Sequence, residues 1–205
     1  MKQGQLYIVS APSGAGKTSL LNALRGQLKY VTVAVSHTTR PPRSGEKEGW
    51  HYHFVSVEAF RQEIDYGNFL EYAQVFDNYY GSNRVGVEQL LDAGKDVILE
   101  IDWQGARQVR KVHPDIISIF ILPPSQAALE ERLRSRKQDN EATIQRRMRD
   151  ARSEMSHYPE YDYLIINDDF EDALEELLAI FRSGRLRLDR QVQHRKDLLD
   201  SLTGN

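Results

Sequence analysis

The chain contains no cysteine. Disulfides, thiolate metal centres and thiol nucleophiles are therefore excluded, and a reducing compartment is the expectation. It has no excess of positive charge: 27 Lys and Arg stand against 30 Asp and Glu, a formal net charge of -3. The global basic field that draws nucleic acid is missing, so no nucleic-acid partner is expected. No apolar run approaches the ~20 residues that span a bilayer. Near the N-terminus only Leu6-Tyr7-Ile8-Val9 follows a single Lys, too little for a secretory signal. A cytoplasmic protein without a membrane partner is expected. Internal repeats and low-complexity linkers are also lacking. What 205 residues, 40% hydrophobic and 28% charged, do allow is one α/β domain with an insertion or two.

The chemistry starts directly after that first apolar run. Ala11-Pro12-Ser13-Gly14-Ala15-Gly16-Lys17-Thr18 leads into Ser19-Leu20-Leu21-Asn22-Ala23-Leu24-Arg25, a helix-like segment. Strand, glycine-rich turn, Gly-Lys-Thr and helix form the context in which this motif binds phosphate. Glycines let the loop curl until successive N–H groups point inward at an anion, and the helix N-terminus adds partial positive charge there. Lys17 then reaches the β- and γ-phosphates, and Thr18 offers its hydroxyl to magnesium. One position departs from G-x-x-x-x-G-K-[ST]: its first glycine is Ala11. Alanine there needs ordinary backbone angles, so the loop still closes.

Five runs read as buried strands: residues 6–9, 31–35, 97–101, 116–122 and 163–166. Each is nearly continuous in apolar residues, and most are separated by enough chain for a helical crossover. A parallel sheet covered on both faces is predicted. Ligands bind such sheets beyond the carboxyl ends of the strands, which places the chemistry after Val9, Val35 and Ile101. After Val35 comes Ser36-His37-Thr38-Thr39-Arg40-Pro41-Pro42-Arg43-Ser44-Gly45. Its prolines and glycine forbid a long helix or a central strand, and they hold Arg40 and Arg43 extended. Guanidinium groups give bidentate hydrogen bonds to phosphate; a solvated basic loop is the plain alternative. Residues 52–55 and 69–75 are predicted as strands of a smaller mixed sheet, with a helix over 57–66 between them. Asn78-Tyr79-Tyr80-Gly81-Ser82 reads as a hydroxyl-rich turn. Glu71 interrupts an apolar, aromatic strand, so its half-buried carboxylate needs a partner. That partner is either a basic side chain such as Arg40 or a ligand with paired donors.

Asp96-Val97-Ile98-Leu99-Glu100-Ile101-Asp102 is an apolar strand ending in acids. In phosphate-loop enzymes an acid at such a strand end faces magnesium or its waters. Asp102 stands at the tip, with Glu100 on the same strand face. The alternative role for such acids is to cap the helix begun at Trp103. Two further helices are predicted, one from Ser125 to about Ser135 and one from about Glu141 to His157, and seven arginines fall between 132 and 152. Arg132 and Arg136 share a helix face. Ile144, Met148, Ala151 and Met155 form an apolar stripe, with Arg147 beside it and Arg149 and Arg152 facing outward. The pair reads as a mobile lid whose arginines neutralise a phosphoryl group in transfer, or as an ordinary hairpin with solvated charges. Asn167-Asp168-Asp169 ends the last strand. Residues 169–202 are predicted mostly helical, with Leu174, Leu177, Leu178 and Phe181 as a core stripe interrupted at Gly184. The charged tail after it is left open between a partner chain and solvent.

Six segments in this order resemble the guanylate kinase family, over about residues 4 to 185. They are Ser10-Ala11-Pro12-Ser13-Gly14-Ala15-Gly16-Lys17, Ser36-His37-Thr38-Thr39-Arg40-Pro41-Pro42-Arg43, Gly49-Trp50-His51-Tyr52-His53-Phe54, Phe69-Leu70-Glu71, Asn78-Tyr79-Tyr80-Gly81-Ser82 and Ile101-Asp102-Trp103-Gln104-Gly105. The family tolerates alanine where this loop has Ala11. The resemblance implies an α/β P-loop kinase. Its parallel-sheet core would comprise 4–35, 88–125 and 158–185, flanked by helices. An inserted α+β GMP-binding subdomain would span 36–87, a helical lid 126–157, and a C-terminal helical tail 186–205. It implies magnesium-dependent transfer of the ATP γ-phosphoryl to GMP, giving ADP and GDP, with ATP and GMP as partners and the oligomeric state unread. By position it implies that Arg40, Arg43, Tyr52 and Tyr80 grip the GMP phosphate. Ser36, Glu71 and Ser82 would read guanine, with Glu100 or Asp102 nearby. Lys17, Arg40, Arg132, Arg136 and Arg147 would act in catalysis, the loop 11–18 with Asn167 and Asp168 would bind ATP, and Thr18 and Asp102 would face the metal. Two departures stand out: Lys137 where relatives often carry glycine, and Glu100 where they commonly carry aspartate. Peptide-binding scaffold domains that resemble these kinases lack an intact phosphate loop, whereas Lys17 and Thr18 are both present. A kinase of the same fold with another acceptor is opposed by Ser36, Glu71 and Ser82 together.

Overall fold

The computed structural model describes residues 4–75, 77–135 and 140–204. In chain order its strands are β1 (Leu6–Ser10), β2 (Val31–Val33), β3 (His37–Thr38), β4 (His53–Phe54), β5 (Phe69–Val75), β6 (Asn78–Asn83), β7 (Asp96–Glu100), β8 (Ile117–Leu122) and β9 (Tyr163–Ile166). The first half carries the helices α1 (Lys17–Gln27), α2 (Val57–Asp65), α3 (Arg84–Asp92) and α4 (Trp103–Val112). The second half carries α5 (Gln126–Ser135), α6 (Glu141–Met155), α7 (Phe170–Leu186), α8 (Leu188–His194) and α9 (Lys196–Thr203).

Strands β2, β7, β1, β8 and β9 lie side by side in that order, all parallel. Their continuous apolar character follows from burial on both faces. Along β1, Tyr7 and Val9 point to one side and pack with Leu20, Leu21 and Leu24 of α1 and Leu174, Leu177 and Phe181 of α7. Leu6 and Ile8 point to the other and pack with Val87 and Leu91 of α3 and Ala106 and Val109 of α4. The alternation is that of any strand, but here both faces find helices.

The second sheet runs β4-β3-β6-β5. The segment expected as a turn, 78–82, is instead most of β6, paired antiparallel with β5 from Val75↔Asn78 onward. Aromatic packing decides this over the turn preference of Asn78 and Gly81. Phe60, fully buried on α2, stacks on Phe69 at 4.6 Å and on Tyr79 at 5.5 Å between ring centroids. Helices α5 and α6 form a hairpin with its own small core of Leu129, Leu133, Ile144, Met148 and Ala151. Ser125 caps α5 and Asn140 caps α6, accepting from Ala128 N–H at 3.0 Å and Thr143 N–H at 2.9 Å. Among the described residues no helix is long and apolar enough to cross a membrane.

One expectation about the C-terminal part is corrected, and one open question is narrowed. Gly184 does not interrupt the helix: α7 runs through it to Leu186. A Cβ there would lie 2.4 Å from the Tyr7 hydroxyl oxygen, so this glycine marks the close passage of α7 over β1. The chain beyond it, left open by the sequence, packs on the domain through its charges. Asp96, with no exposed surface, accepts from Arg190 of α8 at 2.7 Å, from Arg185 of α7 at 3.0 Å and from the Gln5 N–H at 2.9 Å. Arg185 also lies over the Tyr30 ring at 3.7 Å. A carboxylate deprived of water needs such partners, and the two cationic ones come from the C-terminal part. Arg190→Met is expected to destabilise the chain by about 3 kcal/mol, at the low end for breaking a buried pair because Arg185 remains. Urea unfolding measures this, and a variant ending at residue 187 should lose at least as much. Unchanged midpoints would mean that α8 lends the domain no stability.

Candidate active site

β1 delivers the chain to the glycine-rich loop at Ser10. The Ser10 hydroxyl donates to the Ile101 carbonyl at 2.6 Å and accepts from the Tyr161 hydroxyl at 2.8 Å, lacing the ends of β1 and β7 together. Gly14 and Gly16 then adopt φ of 98° and 95°, conformations that side-chain-bearing residues avoid. Space forbids a side chain there as well: a Cβ would lie 2.9 Å from a Leu129 methyl at Gly14 and 2.3 Å from the Asn167 amide nitrogen at Gly16. α1 starts at Lys17 with no side-chain cap, so its first N–H groups are left for an anion.

A cleft of about 360 Å³ opens above this loop. Ala11, Pro12, Ser13, Gly14, Gly16, Lys17 and Thr18 form its floor. The tips of β7 and α4 add Glu100 and Asp102; the small-sheet region adds Ser36, Arg43, Tyr52, Glu71 and Tyr80; α6 adds Arg147, Asp150 and Glu154. Thus most of the residues expected from the sequence converge. Others stand behind the lining. Ala15 is fully buried, and its carbonyl accepts from the Asn167 amide at 2.6 Å, so Asn167 braces the loop from behind. Asp168 is exposed next to it. Arg132 donates to the Asn167 carbonyl at 2.9 Å, and its Nη1 is buried without a hydrogen-bond partner among the described residues. Arg136 and Lys137 lie outside the described residues.

The acids at the end of β7 divide their roles differently from expectation. Glu100, not Asp102, meets the loop: its carboxylate accepts from the Thr18 hydroxyl at 3.3 Å and lies 3.6 Å from Lys17 Nζ. Asp102 caps α4, accepting from the Gly105 N–H at 2.9 Å. The strand ends at Glu100, so the two-residue alternation that put both acids on one face stops before Asp102. Arg40 likewise does not pair with Glu71. Its guanidinium donates to Glu46 at 2.8 and 3.0 Å and lies 5.5 Å from the Tyr52 ring centroid, just outside the cleft lining. Burial pushes the Tyr52 hydroxyl up to about 12, with the Glu100 charge adding to it.

Glu71 is only 4% exposed. Ser82, equally buried, donates its hydroxyl to one carboxylate oxygen at 2.7 Å. Burial pushes the Glu71 carboxyl up to about 7; Ser82 draws it down and the Asp102 charge adds to the rise. Glu154 is a cleft residue that the sequence reading missed. Burial pushes its carboxyl up to about 7 as well, opposed by Lys17 and by the Ser13 amide. The signal was present: 147, 150, 151 and 154 share one face of α6, and all four line the cleft.

A parallel sheet whose first strand passes through Gly-Lys-Thr into a helix, with an acidic neighbouring strand end at that loop, defines a P-loop kinase fold. The sequence profile of the guanylate kinase family matches residues 3–184. The guanylate kinase of Methylococcus capsulatus is 57% identical over 204 residues, covering 100% of both chains. That of Hahella chejuensis is 56% identical over 204 residues, 99% of this chain and 98% of the relative. The crystal structure of guanylate kinase from Anaplasma phagocytophilum superposes with a TM-score of 0.77 at 33% identity, covering 98% of this chain and 95% of that one. The chain belongs to the guanylate kinase family.

The buried Glu71 and the half-buried Glu154 make stability depend on pH in a defined direction. Glu71 and Glu154 hold a proton more tightly folded than at their ordinary value of 4.5. The stability this contributes is full below pH 4.5 and is lost as pH rises through about 7. Thermal unfolding of the nucleotide-free chain at several pH values should show this fall, and Glu71→Gln and Glu154→Gln should each flatten it. A double variant with the wild-type slope would place the titration elsewhere.

Proposed function

We propose that the chain transfers the γ-phosphoryl group of ATP to GMP, giving ADP and GDP, with magnesium, and that the two ends of the cleft hold the two nucleotides. The observation that carries this is a single cleft running from the phosphate loop to Glu71, whose carboxylate is braced by Ser82. Guanine offers N1–H and an exocyclic amine side by side, and a carboxylate accepts both. Adenine has no donor at N1 and would leave the buried Glu71 under-satisfied, a mismatch that discriminates by about 10⁴. Ser36 supports guanine from the same wall. Arg43, Tyr52 and Tyr80 bind the GMP phosphate. Arg40 joins them when the phosphate replaces Glu46 as its partner. On this reading 36–87 serves the acceptor and the hairpin 126–157 the donor.

The loop amides and the N-terminus of α1 hold the ATP phosphates, and Lys17 exchanges Glu100 for them. The Thr18 hydroxyl and the Glu100 carboxylate are hard oxygen donors 3.3 Å apart. They suit magnesium, which takes one or two protein oxygens and keeps waters and phosphate oxygens for the rest. Bound there, the metal would supply divalent positive charge to offset that of the ATP phosphates. Arg147 and the unpartnered Nη1 of Arg132 bring further positive charge to the phosphoryl in transfer. Asp168 stands toward the adenine, and Asn167 keeps the loop closed. No covalent intermediate is needed: the residues position the groups, neutralise charge and exclude water.

The test is ADP production from ATP and magnesium with GMP, AMP, CMP and UMP offered separately. Turnover with GMP alone is expected. Turnover with another monophosphate would keep the kinase and remove the guanine site. Lys17→Ala should lower kcat by about 10²–10³ while calorimetry still detects GMP binding. Equal loss of GMP affinity would contradict the division of the cleft into two ends.

A further inference from the structure

The face of α4 turned toward β5 carries a device that the chemistry above does not use. β5 is the edge strand of the small sheet, so alternate backbone groups lack a strand partner on its outer side. At Tyr72 a side chain fills that gap. The Tyr72 N–H donates to Gln108 Oε1 at 3.1 Å, and Gln108 Nε2 donates to the Tyr72 carbonyl at 2.7 Å. The carboxamide thus reproduces the paired bonds of a neighbouring strand, on the residue that follows Glu71. Three positions earlier on α4, a Cβ on Gly105 would lie 2.6 Å from Glu71 Oε2. The carboxylate therefore occupies room that only glycine leaves. Asp102, Gly105 and Gln108 recur at three-residue intervals and share one helix face. The strand needs such a hold: the β5–β6 register shifts between Phe69 and Glu71, so the regular ladder alone does not set Glu71.

We propose that Gln108 is a positioning residue for guanine selectivity: it fixes β5 through the Tyr72 backbone so that Glu71 faces the base, while Gly105 keeps the space for the carboxylate. Gln108 does not line the cleft. The proposal rests on Glu71 being the guanine acceptor, because only then does a small displacement of β5 fall on the acceptor and not on ATP.

Gln108→Met keeps the length and packing of the side chain and removes both hydrogen bonds. Its KM for GMP should rise about tenfold, within the range for a misplacement of an ångström or less. Its preference for GMP over IMP, which retains N1–H but lacks the exocyclic amine, should shrink. The KM for ATP should stay at the wild-type value. Gly105→Ala, which pushes directly on the carboxylate, should show the same pattern more strongly, with Glu71→Gln as reference. If Glu71→Gln loses GMP use while Gln108→Met keeps the wild-type KM and GMP/IMP ratio, the positioning role is overturned and the guanine assignment stands. An equal rise in both KM values would also overturn it, since the damage would then be general. A wild-type chain that fails to phosphorylate GMP would remove the functional reading first, and this inference with it.

Discussion

The rest of the molecule depends on how tightly the loop between β1 and α1 is closed. Its curl needs positive φ at Gly14 and Gly16. With those angles in place, neighbours press against it from several sides. Leu129 of the α5–α6 hairpin packs on Gly14, Asn167 at the end of β9 holds the Ala15 carbonyl, and Glu100 at the end of β7 meets Lys17 and Thr18. A wider loop would separate these contacts together, because each neighbour belongs to a different element. The anion cradle and the packing of the core are one arrangement.

Two cations in and beside the cleft are each matched by an internal carboxylate. Lys17 lies beside Glu100, and Arg40 is engaged by Glu46. Glu154 of α6 lies close enough to the loop for Lys17 and the Ser13 amide to act on it. Internal carboxylates thus hold these cations in ordered positions. Glu71 is held differently. Ser82 donates to it, and burial holds its carboxyl above the ordinary value.

Helix α4 joins the parts. Its cap, Asp102, follows directly from the strand that reaches the phosphate loop. Gly105 and Gln108 meet β5 of the small sheet. Trp103 stacks on His157 at 3.8 Å, and Arg107 pairs with Glu160 at 2.7 and 2.8 Å, which ties the same helix to the chain that follows α6. The end of β7, the small sheet and the chain after α6 therefore share contacts with one helix.

The sequence by itself determined what depends on near neighbours and on period. The Gly14-Ala15-Gly16-Lys17-Thr18 turn, the parallel strands and the Ile144, Met148, Ala151 stripe were legible because backbone angles and side-chain direction repeat over a few residues. The carboxylate at Glu71 was legible as an anomaly, a charge inside an apolar strand. Only the tertiary structure decided which partner each charge takes. It gave Arg40 to Glu46 and set Glu100 rather than Asp102 against Thr18. It buried Asp96 under Arg190 from the far end of the chain, and it laid Gly184 against Tyr7 inside a continuous helix. The Arg190–Asp96 pair joins residues 94 positions apart. These pairings are fixed by which surfaces pack and which groups lose water, and no local pattern encodes either.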